Sequence, residues 1–199
     1  MKTITAALAL LLLAGCGQAA ERPYQPREQA APATGAAKAS PTATREASDR
    51  PASAEVGDLR VRFDWPRQDT ALLRLFPDYY LAKYRAVFSG DDGYLRHADS
   101  MFRESAIRWV RRFTDEGYAV AGRSRLYRMK VNAVVGRGAE IDVCVDETEM
   151  RVVAGSGEPA TPQPTSIRTP YLQRVLAHKG DDGRWRIKQI AYGTEGCGR

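Results

Sequence analysis

Cysteine, histidine and long apolar runs are scarce in this sequence. Its 199 residues include three cysteines and two histidines. Three cysteines are too few for a disulfide-dense miniprotein. No apolar run approaches the roughly 20 residues that a membrane-spanning helix needs. Charged residues make up 27% of the chain and hydrophobic residues 43%, so wholesale disorder and a multi-span membrane protein are excluded. The length predicts one globular domain with additional segments.

The first sixteen residues show the pattern of an export signal. Lys2 supplies a positive charge, and an apolar run of ten residues follows at positions 4–13. This run is too short to span a bilayer as a helix, but it has the length of a secretory signal. It ends in Leu13-Ala14-Gly15-Cys16, which resembles the lipobox of bacterial lipoproteins. The resemblance implies cleavage before Cys16 and a diacylglyceryl group on its thiol. The alternative is an ordinary cleaved signal in which Cys16 has no role.

A lipid on Cys16 predicts a mature protein anchored to the membrane, on the extracytoplasmic face of the bacterial cell membrane. Two acyl chains hold a protein stably, whereas one holds it only marginally. An exported chain also meets an oxidising environment, where cysteines tend to pair. Once Cys16 carries lipid, Cys144 and Cys197 remain as the expected disulfide. Two free thiols are the alternative.

The segment at residues 17–57 differs in composition from the rest of the chain. It contains twelve alanines and five prolines, and Tyr24 is its one aromatic residue. Such a segment cannot bury enough apolar area to offset the entropy cost of ordering. Treated as a coil, it spans on the order of 35 Å. We therefore predict a signal peptide at 1–15, a lipidated cysteine with a flexible linker at 16–57, and a folded domain at 58–199.

The hydrophobic period changes from helical to extended within the predicted domain. After an extended lead-in near residues 59–65, apolar side chains recur every four residues at 69–88, with Asp69 as the N-cap and Gly90 beyond the end. Pro77 should kink or restart this helix. Further helices are predicted at 94–99 and 100–116. Period-two alternation then predicts four strands, near 127–135, 141–146, 170–179 and 184–192.

These elements predict an α+β fold, a curved antiparallel sheet of about four strands packed against two or three N-terminal helices. Their order resembles the nuclear transport factor 2-like (SnoaL-like) superfamily, whose sheet forms a cone closed by helices. More narrowly, the chain is similar to exported bacterial lipoproteins with this fold and no assigned activity. The resemblance rests on Tyr84-Arg85-Ala86-Val87, Leu95-Arg96-His97-Ala98, Val143-Cys144-Val145-Asp146, Asp182-Gly183-Arg184-Trp185-Arg186-Ile187 and Gly196-Cys197. It also implies a bond between Cys144 and Cys197.

Enzymes of similar fold use an Asp or His base and Tyr donors inside the cone for proton transfer. This resemblance makes Asp142 and the tyrosines the first candidates for proton transfer. The alternative is that Asp142 and Asp146 are exposed carboxylates of a strand with no catalytic role. The sequence has no HExxH or CxxC motif, and we predict no catalytic residue, no metal site and no cofactor. The candidate pocket residues are Tyr80, Tyr84, Trp109, Tyr127, Asp142 and Asp146.

The leading hypothesis is a lipid-anchored envelope protein with a non-catalytic binding or accessory domain. Its membrane contact is the N-terminal lipid, and its partner is an envelope protein or polymer. One alternative is a small-ligand carrier or proton-transfer enzyme that uses the cone interior. Another is an envelope-polymer binder that uses the arginine face at Arg108, Arg111 and Arg112. The net charge of +6 does not favour nucleic acid, because the arginines are interleaved with acids. Whether the domain forms a homodimer is left open.

Overall fold

The computed structural model describes residues 50–68, 70–193 and 197–198. Two α-helices pack on one face of a curved six-stranded sheet. The helices are α1 (Ala71–Ser89) and α2 (Ser100–Thr114), and short 3-10 helices span Gly93–His97 and Thr165–Ile167. The strands are β1 (Ser53–Val56), β2 (Asp58–Phe63), β3 (Tyr118–Val135), β4 (Gly138–Ala154), β5 (Tyr171–Lys179) and β6 (Trp185–Gly193).

The sheet is mixed, with its strands in the order of the sequence. All neighbours are antiparallel except β2 and β3, which run parallel. Parallel neighbours require a long crossover connection, and α1 and α2 lie in that connection. The α+β class is confirmed, and the four predicted strands, β3 to β6, are antiparallel to one another. The prediction is wrong in strand number, because the sheet has six strands, and the parallel pairing of β2 with β3 makes the whole sheet mixed. The extended lead-in is β2, and β1 lies within the segment predicted as linker, so the folded region begins before residue 58.

Strand β3 begins nine residues earlier than the strand predicted at 127–135. Its pairing with β4 shifts register three times, including between Tyr127 and Lys130. These irregularities interrupt the period-two alternation, which by itself would place Tyr127 and Met129 on the same face. Met129 instead packs in the main core, and Tyr127 lies in a small cluster on the other face. Gly122 is required within β3, because an added Cβ would lie 2.2 Å from the backbone oxygen of Glu149.

Helix α1 is held by caps at both ends. The Leu73 N–H donates to Thr70 Oγ1 at 3.2 Å, and Gly90 adopts the left-handed conformation that commonly ends a helix. The predicted N-cap, Asp69, lies outside the described residues. The helix continues through Pro77 without interruption, so the predicted restart there is wrong. Pro77 is buried in the described fold, and packing of this kind can override a local helix-breaking preference.

A disulfide joins Cys144 and Cys197, whose Cα atoms are 5.5 Å apart. The bond lies on the sheet face opposite the helices, where Tyr127 and Leu172 pack against it. The Tyr127 hydroxyl also donates to the backbone oxygen of Cys197 at 2.5 Å. Together these contacts fix the described C-terminal residues on this outer face. Within the described residues, no helix is both long enough and apolar enough to cross a membrane.

Removing the disulfide should destabilise the domain. The bond closes a segment with a sequence separation of 53, for which chain entropy gives about 4 kcal/mol. We expect the Cys144→Ala/Cys197→Ala variant to lose about this much free energy of unfolding in urea denaturation. Cys16→Ala, which leaves this bond in place, is the matched control and should not change the midpoint. An unchanged midpoint for the double variant under non-reducing conditions would contradict the prediction.

Candidate functional site

A buried carboxyl group lies between α1 and the sheet. Glu147 in β4 is 3% exposed. Its Oε1 accepts hydrogen bonds from the hydroxyls of Tyr80 at 2.5 Å and Tyr84 at 2.9 Å, and its Oε2 accepts one from Tyr171 at 2.8 Å. Tyr80 and Tyr84 are one helical turn apart, so their hydroxyls can converge on one group. Three donors satisfy the carboxyl oxygens and offset the cost of removing them from water.

A lysine is buried beside this carboxyl group. Lys83 is 7% exposed, and its Nζ lies 4.1 Å from the centre of the Trp109 ring, 4.7 Å from that of Tyr80 and 4.8 Å from that of Tyr84. Burial lowers the pKa of Lys83 to about 8, against an opposing effect of Glu147. The three ring faces stabilise an ammonium group. Aromatic rings from α1 and α2 therefore surround the lysine.

The tyrosines of this cluster keep their protons. Burial, followed by the charge of Glu147, raises the pKa of Tyr80 and of Tyr84 well above the ordinary value. Burial and Glu147 raise the pKa of Tyr171 in the same direction. Each hydroxyl is therefore a donor at neutral pH, and each donates to Glu147. This arrangement satisfies the polar groups of Glu147 and leaves the three hydroxyls engaged within the protein.

The structure separates the six candidate pocket residues into two groups. Tyr80, Tyr84 and Trp109 come together in the interior, as described above. The other three, Tyr127, Asp142 and Asp146, lie on the opposite face of the sheet with Cys144. Their grouping in one pocket is therefore wrong. Strand alternation explains the separation, because neighbouring residues of a strand point to opposite faces.

Asp142 does not have the environment of a general base in the cone. Its Oδ1 accepts a hydrogen bond from Arg174 Nε at 3.0 Å. Burial favours the neutral acid, but hydrogen bonds from Arg174 and Asn132 outweigh it and hold the pKa of Asp142 below the usual value. Asp146 accepts from the backbone N–H of Thr148 at 3.0 Å and from its hydroxyl at 2.6 Å. Both carboxylates are engaged on the outer face.

Sequence reasoning missed Glu147, the residue at the centre of the interior. The signal that could have found it was present in β4. Val143 and Val145 alternate inward, and the same period places Glu147 on the core side.

In the part of the chain that the structure describes, no group of three or more His, Cys, Asp or Glu side chains could hold a metal ion.

An open groove of about 1020 Å³ lies on the outer face of the sheet. Residues of β1 to β4 line it, together with Gly198 beside the disulfide. We call it the arginine groove, because five arginines contribute to its surface against three acids. Its arginines are Arg60, Arg62, Arg123, Arg125 and Arg128, and its acids are Asp64, Asp146 and Glu149.

Strand register places four of these arginines in two directly opposed pairs. Across the parallel strands, Arg60 is opposite Arg123, and Arg62 is opposite Arg125. Acidic partners lie at the margins of this block. Arg60 Nη2 is 2.5 Å from an oxygen of Glu55 in β1, and Arg123 Nη2 is 2.5 Å from an oxygen of Glu149 in β4.

Asp64 and Arg128 complete one end of the arginine groove. An oxygen of Asp64 is 3.3 Å from Arg62 Nε, and Asp64 also pairs with Arg125. Arg128 has a φ of 49° within the bulge that follows Tyr127. This left-handed conformation is uncommon for a residue other than glycine. The bulge puts Arg128 on the groove side directly after Tyr127, and Met129 then returns to the core.

Comparisons with known proteins give no family for this chain. No family model and no curated protein matches it. The intermembrane space region of the chloroplast protein ARC6 is 13% identical, with a TM-score of 0.46 over 65% of this chain and 100% of that one. A domain of unknown function with a cystatin-like fold from Nostoc punctiforme is 16% identical, with a TM-score of 0.41 over 64% and 80%. An NTF-2 like protein of unknown function from Shewanella oneidensis is 14% identical, with a TM-score of 0.37 over 60% and 96%.

The interior hydrogen bonds should contribute measurably to stability. Tyr171→Phe removes the donor to Glu147 Oε2 and leaves a buried acceptor unsatisfied, so we expect a loss of about 1–3 kcal/mol in the free energy of unfolding by urea denaturation. The matched control is Tyr192→Phe, since Tyr192 is 67% exposed and its ring lies tilted against that of Tyr171, with 5.7 Å between the ring centres. It should stay within about 0.5 kcal/mol of the wild type. Equal stability of the two variants would argue against the buried network.

Proposed function

We propose that this chain is a lipid-anchored envelope protein whose folded domain binds a partner and does not catalyse a reaction. The observation that carries the proposal is the contrast between the two faces of the sheet. On the inner face, Glu147 and its three tyrosine donors engage one another in a buried cluster. On the outer face, charged side chains line an open groove. Recognition of a partner is the function that such a surface supports best.

The lipid anchor is supported by the sequence at the N-terminus. Cys16, the predicted signal peptide at 1–15 and the predicted linker up to residue 49 lie outside the described residues. The disulfide between Cys144 and Cys197 is consistent with an oxidising compartment, where such bonds persist. It also leaves Cys16 as the one cysteine whose thiol is not used in that bond. These two features favour a location on the extracytoplasmic face of the membrane.

We also propose that the domain belongs to the nuclear transport factor 2-like superfamily. Two helices on one face of a curved six-stranded sheet support this assignment. The pairing of a mid-sheet cysteine with a C-terminal one supports the narrower resemblance to exported lipoproteins of this fold. Superfamily membership would not by itself assign an activity, since one fold hosts many functions.

The second candidate function is a small-ligand carrier or a proton-transfer enzyme that uses the interior. One observation favours it. Two buried ionisable residues, Lys83 and Glu147, lie beside the same tyrosines, and burial lowers the pKa of Lys83 to about 8. A ligand there would have to displace the tyrosine hydroxyls from Glu147. The engagement of all three hydroxyls therefore makes the outer face the better candidate.

Labelling at Cys16 tests the proposed anchor. In a bacterial host fed labelled palmitate, the wild-type chain should incorporate label and sediment with membranes, whereas Cys16→Ala should do neither, because its thiol acceptor is gone. The Cys144→Ala/Cys197→Ala variant is the matched control and should keep the label. Label that persists on the Cys16→Ala variant would contradict lipidation at this position.

A further inference from the structure

We infer that the arginine groove binds a ligand that carries at least two phosphate groups. The inference deepens the proposed binding role and rests on it, since it names the chemistry that the outer face would recognise. Two independent features of the groove support it. One is the arrangement of its arginines in register, and the other is the backbone strain that adds a fifth arginine to the same surface.

The register of β2 and β3 places arginines directly opposite one another. Arg60 is directly opposite Arg123, and Arg62 is directly opposite Arg125. Like charges in directly opposed positions of neighbouring strands destabilise a sheet. Glu55 and Glu149, which pair with Arg60 and Arg123, come from the strands outside this pair. With Asp64, which pairs with both Arg62 and Arg125, three carboxylates face four arginines. A bound anion over β2 and β3 would therefore meet an excess of positive charge.

The spacing of this block suits two phosphates. Neighbouring strands are about 4.8 Å apart, and residues two positions apart on a strand are about 6.6 Å apart. A tetrahedral phosphate has oxygens that point in several directions, so one phosphate can accept from both guanidinium groups of an opposed pair. Guanidinium groups bind phosphate through parallel N–H donors. A second phosphate about one repeat along the strands would then contact the second pair.

Exposure leaves the block accessible to such a ligand. The side chains of Arg60 and Arg123 are 63% and 71% exposed in their ion pairs with Glu55 and Glu149. Ion pairs at this exposure are weak, so a multivalent anion can displace the carboxylates. Asp64 contacts both Arg62 and Arg125, and its carboxylate shows that one oxyanion can engage two arginines at this end of the groove.

Backbone strain places Arg128 at the same surface. A φ of 49° is tolerated most easily by glycine or asparagine, yet the position holds an arginine. Without the bulge after Tyr127, strand alternation would direct Arg128 toward the core. The strained conformation therefore brings an additional cation to the groove, beside the Tyr127 ring that Arg125 also contacts. Strain of this kind is concentrated at ligand-binding sites.

Binding of linear polyphosphate to the full chain tests the inference. The Cys16→Ala background removes the proposed lipid from every sample. In this background, Arg60→Gln/Arg123→Gln should raise the dissociation constant about tenfold or more, because charge-assisted hydrogen bonds to phosphate are lost. The matched control is Arg111→Gln/Arg112→Gln, which removes the same charge from two exposed residues of α2. It should change the constant by less than about threefold, through screened long-range attraction alone.

Two further probes identify the source and class of the ligand. Phosphatidylcholine vesicles with and without phosphatidylglycerol test a lipid headgroup as the source of phosphate. Groove-dependent binding to polyphosphate supports a soluble ligand, and groove-dependent binding to the anionic vesicles supports a headgroup. Polyglutamate at matched charge tests the class of anion, and it should bind more weakly than polyphosphate.

Three results would overturn the inference: no binding to polyphosphate or to anionic vesicles, equal losses for the groove pair and the α2 pair, or polyglutamate binding as tightly as polyphosphate. Urea denaturation of both arginine variants establishes that each is folded. None of these results changes the outcome of labelling at Cys16, so failure of phosphate recognition is distinguishable from failure of the lipid anchor.

Discussion

Hydrogen bonds from three tyrosines to one buried carboxyl group connect helix α1 with two strands in the interior of this domain. Glu147 joins α1 to the sheet through Tyr80 and Tyr84, and it joins β4 to β5 through Tyr171. A buried carboxyl needs such partners, because an unsatisfied polar group in the interior is costly. Lys83, surrounded by aromatic faces, occupies the remaining space beside it. The polar groups on the inner face of the sheet therefore contact one another, and the exposed charged residues that could bind a partner lie on the other face.

Strand alternation builds both faces from the same strands. In β4, Val143 and Val145 pack inward, whereas Cys144 and Asp146 point outward. The disulfide to Cys197 and the hydrogen bond from Tyr127 to its backbone oxygen fix the described C-terminal residues on the outer face. Gly198 consequently lines the arginine groove. An inward core and an outward recognition surface therefore both depend on the pairing of β3 with β4, including its register shifts.

Local patterns predicted the parts of the fold that depend on nearby residues. The alternation of β2 and β4, the helical repeat of α1 and the glycine after it all have local causes, and each appears in the structure. Long-range pairing was not predictable in the same way. Strand β1 forms by pairing with β2, and the alanine-rich segment around it does not predict a strand. The bulges of β3 likewise depend on its pairing with β4. Glu147 was missed because a carboxyl in a strand usually indicates an exposed position, and its burial depends on tyrosines distant in sequence.

The interior is closed around Glu147, and proton exchange of the tyrosine hydroxyls measures this closure most directly. In nuclear magnetic resonance spectra recorded in water near neutral pH, the hydroxyl protons of Tyr80 and Tyr84 should appear as separate resonances that exchange slowly with solvent. Their assignment follows from the loss of one resonance in Tyr80→Phe and of the other in Tyr84→Phe. Hydroxyl protons that exchange rapidly with water in the folded domain would contradict the account, because they would place these groups in an interior open to solvent and ligand.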